Sequence, residues 1–405
     1  MSRSDAPSLR VVLAAGGTGG HVYPALAVAA ELKRLRPEAR LLFIGGDRME
    51  AKVAPAAGIR FRGISVHGLA GRGLSGLGRR ARSAAELALG VPVIQSLRIL
   101  REFRPQVVIG TGGYASGPVL YAAKLMHVPS IAMEGNRTPG LTSRLLAKRV
   151  NVMAVAWPEQ EAFFRERVKA STRVVVTGLP IRPGLADMTR EEGARALGFD
   201  PALRTLVIIG GSLGSQKINE AVAGALRIMD GGGRLREVQI LHATGRGKSA
   251  ALSPDEIRMI APLYKHVPYL DAEYPAALAA ADLVVTRAGA STVAEIGARG
   301  LPAILIPWAQ ATTGEQLLNA EPFGKVGAAV VIRDADLTPA ALANALDDLL
   351  WDDLKRARMA RASKLLGKPR AAEAVAKIAL ELAEDSPARG ERRAAGDSAT
   401  ESETR

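Results

Sequence analysis

At 405 residues the chain is too long for one ordinary core, and 48% hydrophobic residues with 4% aromatics suit an α/β protein rich in Ala, Leu and Val. The absence of cysteine excludes disulfide frameworks and thiolate metal sites. A formal charge of +14 asks for anionic partners, and with no zinc-finger spacing or aromatic RNA platform those are phosphate-bearing substrates or an anionic membrane surface, not nucleic acid.

In chain order, an apolar run at 11–15 enters the turn Gly16-Gly17-Thr18-Gly19-Gly20, and an Ala/Leu-rich helix follows. A buried strand, a tight glycine turn and a helix N-terminus make an anion site, because backbone N–H groups can approach a diphosphate closely. Thr18 adds a hydroxyl, and Pro24 is placed at the helix opening, where no N–H is needed. His21 then stands beside the anion, where a group titrating near neutrality can move a proton. The turn lacks the G-x-G-x-x-G spacing of a nicotinamide site. The N-terminus has no apolar signal core and no run reaches the ~18 apolar residues of a membrane span, so a cytosolic protein is expected.

Between residues 72 and 104, Arg72, Arg79, Arg80, Arg82, Arg98, Arg101 and Arg104 interleave with apolar residues against only Glu86 and Glu102. That pattern predicts a basic amphipathic surface for anionic phospholipid. A second glycine turn, Gly110-Thr111-Gly112-Gly113-Tyr114, follows the run at 107–110 and predicts a second backbone-lined anion site, hence a second phosphorylated substrate. Further runs at 41–45, 130–133, 152–156 and 174–178 complete a first set of buried parallel strands, ending at a Gly/Pro hinge, 178–183.

The pattern then starts again. A run at 205–210 enters Gly211-Ser212-Leu213-Gly214-Ser215, with a helix from about Lys217, and runs follow at 238–242, 283–286, 303–307 and 328–332. After the run at 283–286, N–H groups at Ser291 and Thr292 suit phosphate, and the Glu295 carboxylate suits both hydroxyls of a ribose. The competing reading of this segment is a helix capping box. Glu315, Gln316 and Asn319 fall at another helix start, with groups suited to sugar hydroxyls. Residues 371–383 read as an amphipathic helix, and the tail 385–405, without an apolar period, is expected to be disordered.

The segments GGTGGHVYP, GTGGYASGP, TG-x-P-x-R, GGSLGS and RAGASTVAEI with E-Q-x-x-N-A occur in this order. Over residues 9–382 the chain therefore resembles the MurG family of peptidoglycan-synthesis glycosyltransferases. The resemblance implies an α/β fold of GT-B type, two Rossmann-like doubly wound domains facing a cleft. Residues 1–180, joined by a C-terminal helix at about 366–384, would face acceptor and membrane; residues 181–365 would bind the donor. The implied reaction is inverting transfer of N-acetylglucosamine from UDP-GlcNAc to the 4-hydroxyl of MurNAc in undecaprenyl-diphosphoryl-MurNAc-pentapeptide (lipid I). It would run peripherally at the cytoplasmic face of the membrane, without cofactor or metal, with anionic phospholipid and other cell-wall synthesis proteins as partners.

By the same resemblance, Thr18, Gly19, Gly20, Asn136, Arg182, Ser212, Leu270, Ala290, Ser291, Thr292, Val293, Ala294, Glu295 and Gln316 would contact UDP-GlcNAc. Ser212 and the helix start at Ser291–Thr292 would hold the diphosphate, Glu295 the ribose, Leu270 the uracil through its backbone, and Asn136 and Gln316 the sugar. Gly17, Gly112, Gly113 and Tyr114 would meet the acceptor diphosphate. His21 is the expected base, with Glu134 the alternative, while Arg182 and a helix dipole would stabilise departing UDP. The chain departs from the family where His-Glu-Gln-Asn is usual and Met133-Glu134-Gly135-Asn136 stands here, and at Leu179, Leu213 and Glu315. Another GT-B transferase with a different acceptor, a sugar-nucleotide epimerase of the same architecture and an inactive cell-wall scaffold are the alternatives.

Overall fold

Runs such as Val11–Ala15 have no polar side chain to give to water, so they end up buried between helices on both faces of a parallel sheet. The computed structural model describes residues 8–66, 90–230, 234–260, 263–310 and 314–385. They divide into two compact units. One holds the chain up to Gly135, Pro139–Pro180 and the part from Arg370; the other holds Asn136–Thr138 and Ile181–Pro369.

The first unit carries β1 (Arg10–Ala15), β2 (Arg40–Gly45), β3 (Arg60–Gly63), β4 (Val107–Gly112), β5 (Ser130–Glu134), β6 (Val152–Val155) and β7 (Arg173–Val176). All pair in parallel, in the order β3-β2-β1-β4-β5-β6-β7. The helices Val91–Phe103 and Ser116–Leu125 cover one face through Ile99, Leu100, Val119 and Leu120. The helix Ala371–Glu384 packs beside Gly19–Leu35 through buried Val375, Ala376 and Ala379. Surface ion pairs Arg173–Glu381 (3.2 Å) and Arg36–Glu384 (3.7 Å) flank it.

The second unit repeats the plan with β8 (Arg204–Ile209), β9 (Val238–Ala243), β10 (Leu263–Val267), β11 (Leu283–Thr286), β12 (Ala303–Leu305) and β13 (Ala329–Val331). Their order is β10-β9-β8-β11-β12-β13, again all parallel. Local signals are consistent with the plan. Thr189 and Glu192 close a reciprocal capping box on the helix Arg190–Leu197, and Gly198, in the left-handed region at φ 69°, ends it.

Two readings of the sequence change. Strands β3 and β10 were not among the expected runs. Pro24 lies inside the helix Gly19–Leu35, not at its start, because the Thr18 carbonyl accepts from both His21 N–H (3.1 Å) and Val22 N–H (3.3 Å) and so begins the helix earlier. That places His21 in the first helical turn. The expected disordered tail and most of the basic segment at 72–104, including Arg72, Arg79, Arg80 and Arg82, lie outside the described residues. Among the described residues no helix is long and apolar enough to cross a membrane.

Candidate functional site

Each sheet reverses its strand order once, and loops leaving the strands on either side of a reversal diverge to open a crevice at the strands' carboxyl ends. In the first unit the reversal lies between β1 and β4, the two strands that carry the glycine turns. These turns pack on each other. A Cβ on Gly113, at φ +77°, would stand 1.9 Å from the Gly16 carbonyl oxygen; one on Gly112, at φ +108°, would stand 2.5 Å from His21 Nδ1. Both glycines are thus required by the packing of one turn on the other, whatever they also bind.

The buried Glu50 carboxylate accepts the N–H groups of Gly17 (3.3 Å) and Gly46 (3.0 Å). At Gly17, therefore, the anion facing the turn is a side chain of the protein itself. Thr18 is the exposed N-cap residue and its hydroxyl makes no capping bond; Gly19 is buried and Gly20 exposed. Tyr114 projects from the second turn, half of its surface open.

His21 is fixed on two sides by Thr111. The Thr111 hydroxyl donates to the His21 carbonyl (2.7 Å), and His21 Nδ1 lies 3.2 Å from the Thr111 carbonyl oxygen. A carbonyl can only accept, so Nδ1 carries the proton and Nε2 is left as the basic nitrogen. Burial pushes the imidazole below its ordinary value of 6.5, against the pull of the Glu134 charge and the Thr111 carbonyl. His21 is accordingly neutral and basic at pH 7. Glu134, buried at the end of β5, accepts the Gly140 N–H at 2.8 Å and closes the loop that follows.

In the second unit the reversal lies between β8 and β11. The turn after β8 exposes Ser212 and seats Gly214, φ +69°, against Gly245, where a Cβ would lie 2.3 Å from the Gly245 Cα. Arg287, buried at the end of β11, donates to Ser215 Oγ (2.9 Å) and the Ile306 carbonyl (3.1 Å) and pairs with Asp334. It thereby ties the two turns of the crevice together. Behind them, burial and then His266 push His242 down to about 4, and its ring spans Tyr264 Oη (2.7 Å) and Asn219 Oδ1 (3.0 Å).

The helix Ala290–Arg299 starts from β11 with Gly289 as its N-cap and no acidic residue in its first turn, leaving that end electropositive. No capping box forms. Glu295 points inward instead, accepting the Tyr274 hydroxyl at Oε2 (2.7 Å) and facing Arg182 Nε with Oε1 (3.4 Å). The Arg182 guanidinium stacks on the Tyr274 ring at 3.7 Å. Burial raises the Glu295 carboxyl, while Arg182 and the Tyr274 hydroxyl draw it back down; burial and the Glu295 charge hold the Tyr274 phenol well above its ordinary range. Val293 is buried on the inner side of this helix, so only its main chain can reach a ligand, whereas Ala290, Ser291, Thr292 and Ala294 are partly open.

Leu270 is buried in the turn after β10. The helix Glu315–Lys325 begins after Gly314, and Gln316 Oε1 accepts the Trp308 N–H at 3.0 Å. Asn319 is fully buried: its Oδ1 accepts the Arg137 N–H (3.0 Å), and its Nδ2 donates to Asn136 Oδ1 and the Ala288 carbonyl, both at 3.3 Å. Asn136, Arg182, Ser212, the 290–295 segment and Gln316 thus belong to one unit, and Thr18, His21, Gly112, Tyr114 and Glu134 to the other. Sequence reasoning missed Glu50, Tyr274 and Arg287. Only Arg287 had a local signal, a cation placed directly between a strand and the start of the helix Ala290–Arg299.

On the first unit, the helices Ser116–Leu125 and Leu141–Leu146 pack together and expose Tyr121, Leu125, Leu141 (72%) and Leu145 among Lys124, Arg144 and Arg149. Arg149 lies over the Tyr121 ring at 5.9 Å.

Comparison with known proteins agrees with this arrangement. The glycosyltransferase family 28 N-terminal domain matches residues 11–155, and the family 28 C-terminal domain matches residues 205–375. The UDP-N-acetylglucosamine–N-acetylmuramyl-(pentapeptide) pyrophosphoryl-undecaprenol N-acetylglucosamine transferase of Desulforudis audaxviator is 41% identical over 391 residues, 93% of this chain and 99% of that one. Its namesake from Moorella thermoacetica is 40% identical over 382 residues, 93% of this chain and 100% of that one. Among solved structures, Acinetobacter baumannii MurG superposes with a TM-score of 0.65 at 25% identity, covering 93% of this chain and all of that one.

Proposed function

The chain belongs to glycosyltransferase family 28, built as two Rossmann-like units of GT-B type, and from that premise we propose that it makes lipid II. The substrates are UDP-GlcNAc and undecaprenyl-diphosphoryl-MurNAc-pentapeptide, and the reaction serves peptidoglycan synthesis. The second unit holds the donor. N–H groups at the start of the helix Ala290–Arg299, with Ser212, take the diphosphate, Glu295 accepts the ribose hydroxyls, Leu270 borders the uracil, and Asn136 and Gln316 read the sugar. The first unit takes the acceptor diphosphate through Gly17, Gly112, Gly113 and Tyr114.

The acceptor's 4-hydroxyl attacks the anomeric carbon as the bond to UDP breaks on the opposite face, which inverts the centre. His21 Nε2 removes the hydroxyl proton, and the Glu134 carboxylate stabilises the resulting imidazolium. The electropositive helix end and Arg182 receive the charge that develops on UDP, so no metal ion is needed for that task. The observation that supports this reading is the Thr111 carbonyl on His21 Nδ1, which leaves Nε2 as the unprotonated nitrogen. The exposed Leu141 and Leu145 with their neighbouring cations support peripheral docking on the anionic cytoplasmic leaflet, where the acceptor resides.

The test is steady-state transfer of labelled sugar to a short-chain lipid I analogue, with UDP-Glc and UDP-GalNAc as competing donors. Selective transfer from UDP-GlcNAc supports the assignment. UDP binding without transfer, or conversion of UDP-GlcNAc without acceptor, refutes it.

A further inference from the structure

At the amino ends of the first unit's strands, opposite the glycine turns, Arg10, Arg40 and Arg60 are the first residues of three adjacent parallel strands. Register pairs Arg10 with Arg40, Leu42 with Arg60 and Ile44 with Arg62. All four arginines therefore lie on the same sheet face as Val12, Leu42 and Ile44, the face covered by the helix Val91–Phe103. Arg104, just past that helix, adds a fifth guanidinium. It adopts φ 51°, a left-handed conformation usually left to glycine, and its carbonyl accepts from Arg10 Nε at 2.8 Å. Together with Leu42, Ile99, Glu102 and Phe103 these five arginines line a cavity of about 410 Å³.

Like charges on neighbouring strands repel, and among the described residues the lining supplies a single carboxylate, Glu102, which pairs with Arg62 at 3.2 Å. Guanidinium forks match tetrahedral oxyanions in a bidentate way, and five of them around a hollow with an apolar floor make a polyanion receptor. We propose that this cavity binds a phosphate-bearing anion, at a site separate from both substrate turns. The anion is either a soluble phosphate compound or the headgroup of an anionic lipid, and both present the same chemistry to the arginines.

The full chain, saturated with UDP to fill the donor site, is titrated calorimetrically with inorganic pyrophosphate, and floated in parallel with phosphatidic acid vesicles. The comparison is with Arg40→Ala/Arg60→Ala and with Arg40→Lys/Arg60→Lys, the latter to separate loss of charge from loss of the fork. Melting and turnover of both variants should match the parent. Pyrophosphate binding at least tenfold weaker in the alanine variant, and intermediate in the lysine variant, supports a soluble ligand. Flotation lost in the alanine variant supports a lipid headgroup. If neither probe distinguishes the parent from the alanine variant, the proposal is wrong.

Discussion

His21 and Glu295 show how one environment sets the state of one side chain. The imidazole is desolvated and its Nδ1–H donates a hydrogen bond to the Thr111 carbonyl, so it is neutral at pH 7 with Nε2 as its basic nitrogen. His21→Ala should lower kcat by about 10²–10⁴-fold while UDP affinity, measured by calorimetry, stays within about twofold. Because the folded pKa is depressed, the base remains unprotonated to lower pH than a free histidine, and the acid limb of the kcat profile should have its midpoint below 6.5. The same depression means that an unfolded chain takes up the proton first, so stability drains as pH falls below that value. To accept ribose hydroxyls as proposed, Glu295 needs its charge, and burial works against that charge. Tyr274→Phe removes a bond worth about 1.5–3 kcal/mol to an ionised group. It should raise KM for UDP-GlcNAc about tenfold and move upward the pH at which KM rises as Glu295 protonates; an unchanged KM and KM–pH profile would leave Tyr274 with a packing role only.

At the scale of elements, each crevice depends on turns that tolerate no added carbon. Gly113→Ala must both hold a left-handed φ and push the Gly16 carbonyl aside. We expect a loss of about 2 kcal/mol or more in stability, read from denaturant midpoints, with transfer falling further than melting alone accounts for. The turns were legible because consecutive glycines directly after an apolar run fit little besides a tight turn at a strand's end. The central strands were legible for a related reason, being buried on both faces and therefore apolar throughout. Strands β3 and β10 were not: both are outermost in their sheets, and unlike the apolar edge strands β7 and β13 their sequences, RFRG and LYKHV, are broken by polar residues. With solvent beside them, these two carry Arg60, Arg62, Lys265 and His266 and show no continuous apolar run. The competing cap reading at Ser291–Thr292 fails for a different reason. A Glu three or four residues into a helix normally turns back to the helix start, but Tyr274 and Arg182, distant in sequence, hold Glu295 inward. Glu50 escaped notice likewise, because only the fold brings its carboxylate to the Gly17 N–H.

Across the whole molecule the same device appears twice, a doubly wound sheet with paired turns at its reversal point, and the excess of 54 basic over 40 acidic residues suits anionic substrates and an anionic surface. Cosedimentation with phosphatidylglycerol vesicles but not phosphatidylcholine vesicles is expected, weakening as salt shortens the reach of the charges. Arg79→Glu/Arg80→Glu/Arg82→Glu and, separately, Leu141→Ser/Leu145→Ser should each reduce it; equal binding to neutral vesicles would count against the electrostatic part. The reaction itself is tested most directly by the product's anomeric configuration, determined by NMR after transfer to the lipid I analogue in the presence of a chelator. Inverting transfer that needs no metal predicts undiminished formation of a β-linked disaccharide from the α-linked donor. An α-linked product, or turnover abolished by the chelator and restored by a divalent cation, would contradict it.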